Sequence, residues 1–371
     1  MVSFGGPLAL AALYGPQAVD EVTSSAGLVA LIAPLVFAIP LVIWLRYSRD
    51  IAGPGGLYAF VEAAAGRRTA RVHGVLWVTS YALYLVYTTA YVVYDVLPAV
   101  TPRVSSYRSS LEVLLPVAIA AAVLTGRRTT MAVLAVIAVG QVGLAVLLDV
   151  VALRHSPTVN AFAGHGHPHD TAVAAGSVAL LFVCGSLPLF LGGEVVRPHR
   201  TIRRVLPLAY AATAVLVVVA VLPIAVDPAF ARADIPGMSL VRVDVGATAA
   251  TAVGLGVAAS VVGVMLVEYL AVTRLVHAVT ARSPQVVARW LAVPLVVAGP
   301  ISLINPDRFY ADLLKPSLVA LWLAQLVVVA VFPLYLRRRG ELRVQHVVMG
   351  AVGSAVMVFG LWSSLSSTSA T

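Results

Sequence analysis

Glu268 sits inside an apolar run, 247–279, of a chain that is 60% hydrophobic and only 11% charged. An acid in that setting is the side chain best placed to do chemistry. A carboxyl held away from water can take up and release a proton as its surroundings dry and hydrate. Its plainer reading is structural, as the partner of Arg274 six positions on. The other chemically available groups are backbone. Tyr14-Gly15-Pro16-Gln17 interrupts the run 4–22, and Phe182-Val183-Cys184-Gly185-Ser186-Leu187-Pro188 interrupts the run 173–194. Proline removes an N–H and clashes with the preceding turn, and glycine weakens the helix further, so carbonyls and amides are freed at both places.

Tyr81, Tyr84, Tyr87, Tyr91 and Tyr94 are spaced by three and four, which on a helix makes one stripe. Their hydroxyls need partners in an apolar medium, so the stripe faces protein or a water path. It either lines a solute route, with Tyr87 as a contact, or forms a hydrogen-bonded seam; Thr88 and Thr89 lie beside it. His165, His167 and His169 with Asp170 alternate as short metal-binding tracts do. Three ligands without a rigid frame read as a solvated loop, so no metal and no cofactor is assigned. Glu194 beside Arg197 and Arg200 reads as an ion-pair latch. No nucleophile–base pair, HExxH, phosphate loop or paired acids fall in the apolar runs, which argues against an enzyme. The lone Cys184 rules out an internal disulfide.

The elements that must position these groups are membrane helices. Eleven stretches reach the roughly 20 apolar residues a bilayer span needs: 4–22, 26–46, 72–98, 110–126, 130–152, 173–194, 202–226, 247–279, 287–304, 313–336 and 344–363. Mean hydropathy is +0.95, and no gap has room for a soluble catalytic domain, so residues 1–371 form one transmembrane domain. Of the 25 Lys+Arg, 18 fall in alternate gaps: Arg46 to Arg71, Arg127 and Arg128, Arg197 to Arg204, Arg274 to Arg289, and Arg337 to Arg343. Basic loops are retained in the cytoplasm. The N-terminus is therefore expected inside a bacterial cytoplasmic membrane and the C-terminus outside. The same retention accounts for the net charge of +9 and leaves nucleic acid no part. The chain starts on an apolar run without a cationic leader segment, so no removable signal peptide is expected.

Charged residues inside a span are costly, about 2.5–3.5 kcal/mol at a helix centre, so Glu268 has work or a partner. Unsatisfied backbone at bilayer depth is tolerated only where protein or a water-filled cavity meets it. The two breaks lie five stretches apart, as in inverted-repeat transporters with a site near the midplane. Residues 1–152 would be the first repeat, 173–336 the second, and 344–363 an extra helix. Two proline-kinked helices with no ligand are the alternative.

Further motifs accompany the breaks. Pro54-Gly55-Gly56-x-Tyr58-x-Phe60-Val61 is followed by Gly66. Phe182 to Gly185 is followed by Glu194-Val195-Val196-Arg197-Pro198 and Thr201-Ile202, and Thr273-Arg274 lies on the eighth stretch. With Tyr14-Gly15-Pro16 and Gly27, these resemble the amino acid–polyamine–organocation superfamily of permeases over about residues 8–340. The resemblance implies an all-α polytopic membrane protein with a LeuT-type five-plus-five inverted repeat, about eleven helices, and helices 1 and 6 broken. It implies that amides around Tyr14, Gly15 and Gln17 receive a substrate carboxylate at a half-helix N-terminus. The carbonyls of Val183 and Cys184, beside Gly185, would receive an ammonium, with Phe182 as an aromatic lid. The eighth helix of relatives binds sodium or holds a proton-carrying side chain, the place Glu268 takes here. The chain departs from the family in having eleven stretches instead of twelve. Tyr14-Gly15-Pro16 also replaces a G-x-G, nearer the potassium-importing branch, but that branch's acid is absent where Pro7, Leu8 and Leu10 stand.

The function implied is a secondary active permease, a symporter. It would move a small solute, an amino acid or related amine, by alternating access with a proton or another cation. The alternatives are a potassium or cation importer of the same superfamily, or a membrane sensor that keeps the permease fold.

Overall fold

The computed structural model describes residues 16, 18, 19, 22, 25–154, 162, 167–222, 235 and 238–366. Ten helices among them are long and apolar enough to cross a membrane, within a few residues of the second to eleventh expected stretches. The stretch 4–22 lies outside the described residues, save for a few positions at its end. In chain order the helices are α1 (Ala26–Ser48), a short α2 (Leu57–Ala65), α3 (Arg67–Tyr91), α4 (Arg108–Leu124), α5 (Arg127–Leu153) and α6 (Pro168–Val183). They continue with α7 (Pro198–Val221), α8 (Ala247–Thr280), α9 (Pro284–Ser302), α10 (Pro306–Ala330) and α11 (Val344–Ser366). No strand occurs among the described residues. This is a multi-pass membrane protein.

Local signals set the helix starts. Prolines 168, 198, 284 and 306 open α6, α7, α9 and α10, where the missing N–H would have had no helical partner. The Ser283 hydroxyl accepts from the Val286 N–H at 3.4 Å and the Asn305 side chain from the Arg308 N–H at 3.2 Å, capping α9 and α10. Two helices change pitch without stopping. After Tyr91, α3 widens into a π turn over Val92–Val96. At Cys184, α6 tightens into a 3-10 segment that runs to Glu194, the place where Gly185 and Pro188 weaken ordinary α winding.

Apolar burial gives little drive between helices in lipid, so close approach and polar contacts do the work. The Ser80 hydroxyl of α3 donates to the Ser317 carbonyl of α10 at 2.9 Å, and Ser317 returns the bond to Ser80 at 3.0 Å. α11 lies across α1, α6 and α10, its Gly360 against the Trp322 indole and its Gly353 against Ile43 and Val329. The Ser363 hydroxyl donates to the Val173 carbonyl of α6 at 2.9 Å. Glu268 is not the only acid buried within a span. Glu112 of α4 is 1% exposed, set where Gly299 of α9 lets the two backbones meet.

Candidate functional site

A cavity of about 250 Å³ lies among α3, α6, α8 and α10. Ser80, Tyr81, Tyr84 and Tyr87 line it from α3, and Ser177, Leu180, Leu181 and Cys184 from the α6 side. Leu314, Ser317, Leu318 and Leu321 form the α10 wall, Glu268 comes from α8, and Ala18 closes one edge. The tyrosine stripe thus faces the interior, and three of its members reach the cavity. The Tyr84 and Tyr87 rings lie 5.7 Å apart, and Tyr87 and Tyr91 are parallel within 7° at 6.2 Å. Tyr94, further along, has the Arg108 guanidinium 5.0 Å over its ring.

Glu268 is 0% exposed, and neither carboxylate oxygen has a hydrogen-bond partner among the described residues. Tyr81 and Tyr84 of α3 and the Cys184 thiol are the titratable groups near enough to interact with it. The structural reading of Glu268 as the partner of Arg274 does not hold. Arg274 pairs with Glu194 at the arginine-rich face, through its Nε and a Glu194 carboxylate oxygen. Glu194 thus forms an ion pair, but with Arg274 across the fold, tying the end of the 3-10 segment to α8, where the sequence pointed to its neighbours Arg197 and Arg200.

Between the cavity and that face the protein is filled. Trp77 stacks under Tyr81 at 4.1 Å and packs on Phe190 at 4.5 Å. Beneath them the Pro54-Gly55-Gly56 loop meets the 3-10 segment. A Cβ on Gly56 would stand 2.8 Å from the Phe190 nitrogen, and one on Gly192 would stand 2.9 Å from the Ala52 carbonyl oxygen. Gly55 and Gly56 also hold φ of 96° and 49°, the left-handed region that glycine adopts without strain. The ion pairs beside this seam, Arg46–Glu341 and Arg339–Asp50 (3.5 Å), and the Tyr335–Asp50 hydrogen bond at 3.0 Å, close the same face.

The expected site residues divide. Tyr87, Cys184 and Glu268 meet at the cavity. Phe182 and Gly185 line a narrow crevice on the other side of the break, with Leu41, Trp44 and Tyr210. There Phe182 lies 5.0 Å from the Tyr210 ring and 6.4 Å from Phe37. Val183 is fully buried, and its carbonyl already accepts from the Ser186 hydroxyl at 2.8 Å. Tyr14, Gly15 and Gln17 lie outside the described residues, as does His165. His169 lies 3.2 Å from Asp170 at the start of α6. No group of three His, Cys, Asp or Glu able to hold a metal occurs among the described residues.

Reading the sequence alone missed Ser80, Ser177, Ser317 and Gln325. The Gln325 amide of α10 donates to Ser186 at 3.2 Å. Ser317, Leu321 and Gln325 are four apart in sequence, one face of α10, a spacing that could have drawn attention to them.

No protein-family model matches the chain, and no curated protein does. Solved structures match it. That of MhsT in complex with L-phenylalanine has a TM-score of 0.64, covering 98% of this chain and 97% of that one at 14% identity. The fold is of the LeuT type. At that identity the likeness speaks for the fold and not for the ligand.

Proposed function

We propose that the protein is a secondary active transporter of the amino acid–polyamine–organocation type. It moves a small solute, an amino acid or related amine, by alternating access to the cavity between α3, α6, α8 and α10. The arginine-rich face is the cytoplasmic one. One observation carries the reading: a cavity among four helices, beside the Cys184 change of winding, holds a buried carboxyl with no hydrogen-bond partner among the described residues. A structural acid would be expected to come with a cation or a donor, because burying an unpaired charge is costly. A carboxyl that loads and unloads a proton needs to be free. MhsT, of like fold, has been crystallised with L-phenylalanine, which supports looking first among amino acids and amines. The closed seam at one face fits a protein that opens to one side at a time.

The experiment is uptake by proteoliposomes holding the purified protein, screened against amino acids and amines with and without a pH gradient. Gradient-driven accumulation of a solute is expected, with its loss in Glu268→Gln at an unchanged thermal unfolding midpoint. No movement of any solute, with ligand binding intact, would turn the reading to a sensor.

A further inference from the structure

We propose that an organic ammonium and a proton compete for the Glu268 carboxylate, so that the protein exchanges one for the other. The inference rests on the transport reading and narrows it, to a cationic substrate without a carboxylate and to exchange instead of symport.

The charges around the cavity carry the argument. Glu268 is the one formally charged residue among the described residues that line it. Lys315, beside Leu314, is exposed, and Arg274, six positions from Glu268, is taken by Glu194. The first 45 residues of the sequence contain no Lys or Arg, so no basic side chain can come from the stretch 4–22 either. A substrate carboxylate would therefore meet an acid with no basic side chain among the described lining residues, and like charges at close range oppose binding. A cation finds the reverse. Tyr81, Tyr84 and Tyr87 present aromatic rings on one side, and ring faces attract ammonium groups. Leu314, Leu318 and Leu321 on the other side suit an apolar body.

The shared carboxylate follows from what surrounds it. Among the described residues, the titratable groups near Glu268 are the Tyr81 and Tyr84 hydroxyls and the Cys184 thiol, with Ser and Leu side chains of α10 lining the same cavity, and none is a cation. An ionised carboxyl buried without a hydrogen-bonding or charged partner is unfavourable, so without a bound cation Glu268 keeps a proton. An arriving ammonium replaces it as the balancing charge, and the proton leaves to solvent. Each cycle carries one organic cation one way and one proton the other, with no net charge moved. Binding of either ion weakens the other by the same factor.

The test uses the purified full-length protein in weakly buffered detergent solution and phenyltrimethylammonium, a cation that has no proton of its own to lose. About one proton should be released per cation bound, and L-phenylalanine should release none. Glu268→Gln should lose both cation binding and proton release, and Glu268→Asp should keep both. In proteoliposomes an acid interior should drive entry of the cation. Binding without proton release overturns the proposal. So does undiminished binding by folded Glu268→Gln, or binding of L-phenylalanine where the cation fails. Uptake of a zwitterion with a proton would leave the transport reading standing and remove this one. Proton-linked binding with no movement in vesicles would keep the shared carboxylate but overturn the exchange, together with the transport reading on which it rests.

Discussion

The Gln325 amide reaches from α10 to the Ser186 hydroxyl at 3.2 Å, and Ser186 in turn donates to the Val183 carbonyl at 2.8 Å. The change of winding at Cys184 is therefore held from outside its own helix. A run of 3-10 geometry as long as Cys184–Glu194 is uncommon because its hydrogen bonds are poorer, so an external tie is what such a segment needs.

Gln325→Leu removes that tie with little change of volume. Amide hydrogen exchange over Cys184–Glu194 should rise, with a loss of about 1 kcal/mol in local opening free energy, while exchange in α11 stays as it was. Equal protection in the variant would mean that the 3-10 winding needs no support from α10.

The Glu194–Arg274 pair is partly shielded, with side chains 24% and 14% exposed. Glu194→Ala and Arg274→Ala should each lower the thermal unfolding midpoint, and the double variant should be no worse than the poorer single one. A double-mutant cycle should return a coupling of about 1 kcal/mol, reduced by salt. Strict additivity would show that the contact contributes nothing.

Cys184 and Gly185 are adjacent but face different spaces. Cys184 lines the cavity and Gly185 the crevice beside Phe182. A Cβ on Gly185 meets nothing within 4 Å. Gly185→Ala should therefore fold and bind ligand as the parent does, while Cys184→Phe should fill the cavity and abolish binding in a thermal-shift assay. Loss of binding in Gly185→Ala would instead place the ligand against the backbone of the break.

The alternation of arginines predicts the sidedness of the whole chain. A reporter active only outside the cytoplasm should be active when fused after Ser367 and silent when fused after Arg339. The opposite pattern would invert the membrane orientation and with it the direction in which the seam at Gly56 opens.

Span positions were legible because a bilayer imposes a single length and polarity on each crossing, and the ends of α3, α8 and α10 fall near where hydropathy puts them. The α6 break was legible because Gly185 and Pro188 act locally. The partners of Glu194 and Ser186 were not. Arg274 is 80 residues from Glu194 and Gln325 is 139 from Ser186, and nothing in either neighbourhood names the other. Phe182 faces α1 and α7 for a similar reason: its own helix allows several faces, and only the packing of Phe37 and Tyr210 chooses one. Glu112 escaped notice because it lies near the end of an apolar run, where an acid normally reaches water. The close approach of Gly299, far away in sequence, denies it that.

Along the loop 52–56, glycines bring main chain directly against its neighbours: Gly55 against Ala278, Gly56 against Phe190, and Gly192-Gly193 against Ala52, Gly53 and Pro54. A barrier of interleaved side chains must unlock its rotamers one by one before it parts. At these glycines there is little to unlock, and loop and segment can separate there as two smooth walls, held by the ion pairs and the Tyr335–Asp50 hydrogen bond around them. Bulk added at these glycines would then act like a wedge in a door frame. It would change how fast the protein cycles, and leave untouched how tightly the closed cavity holds what is inside.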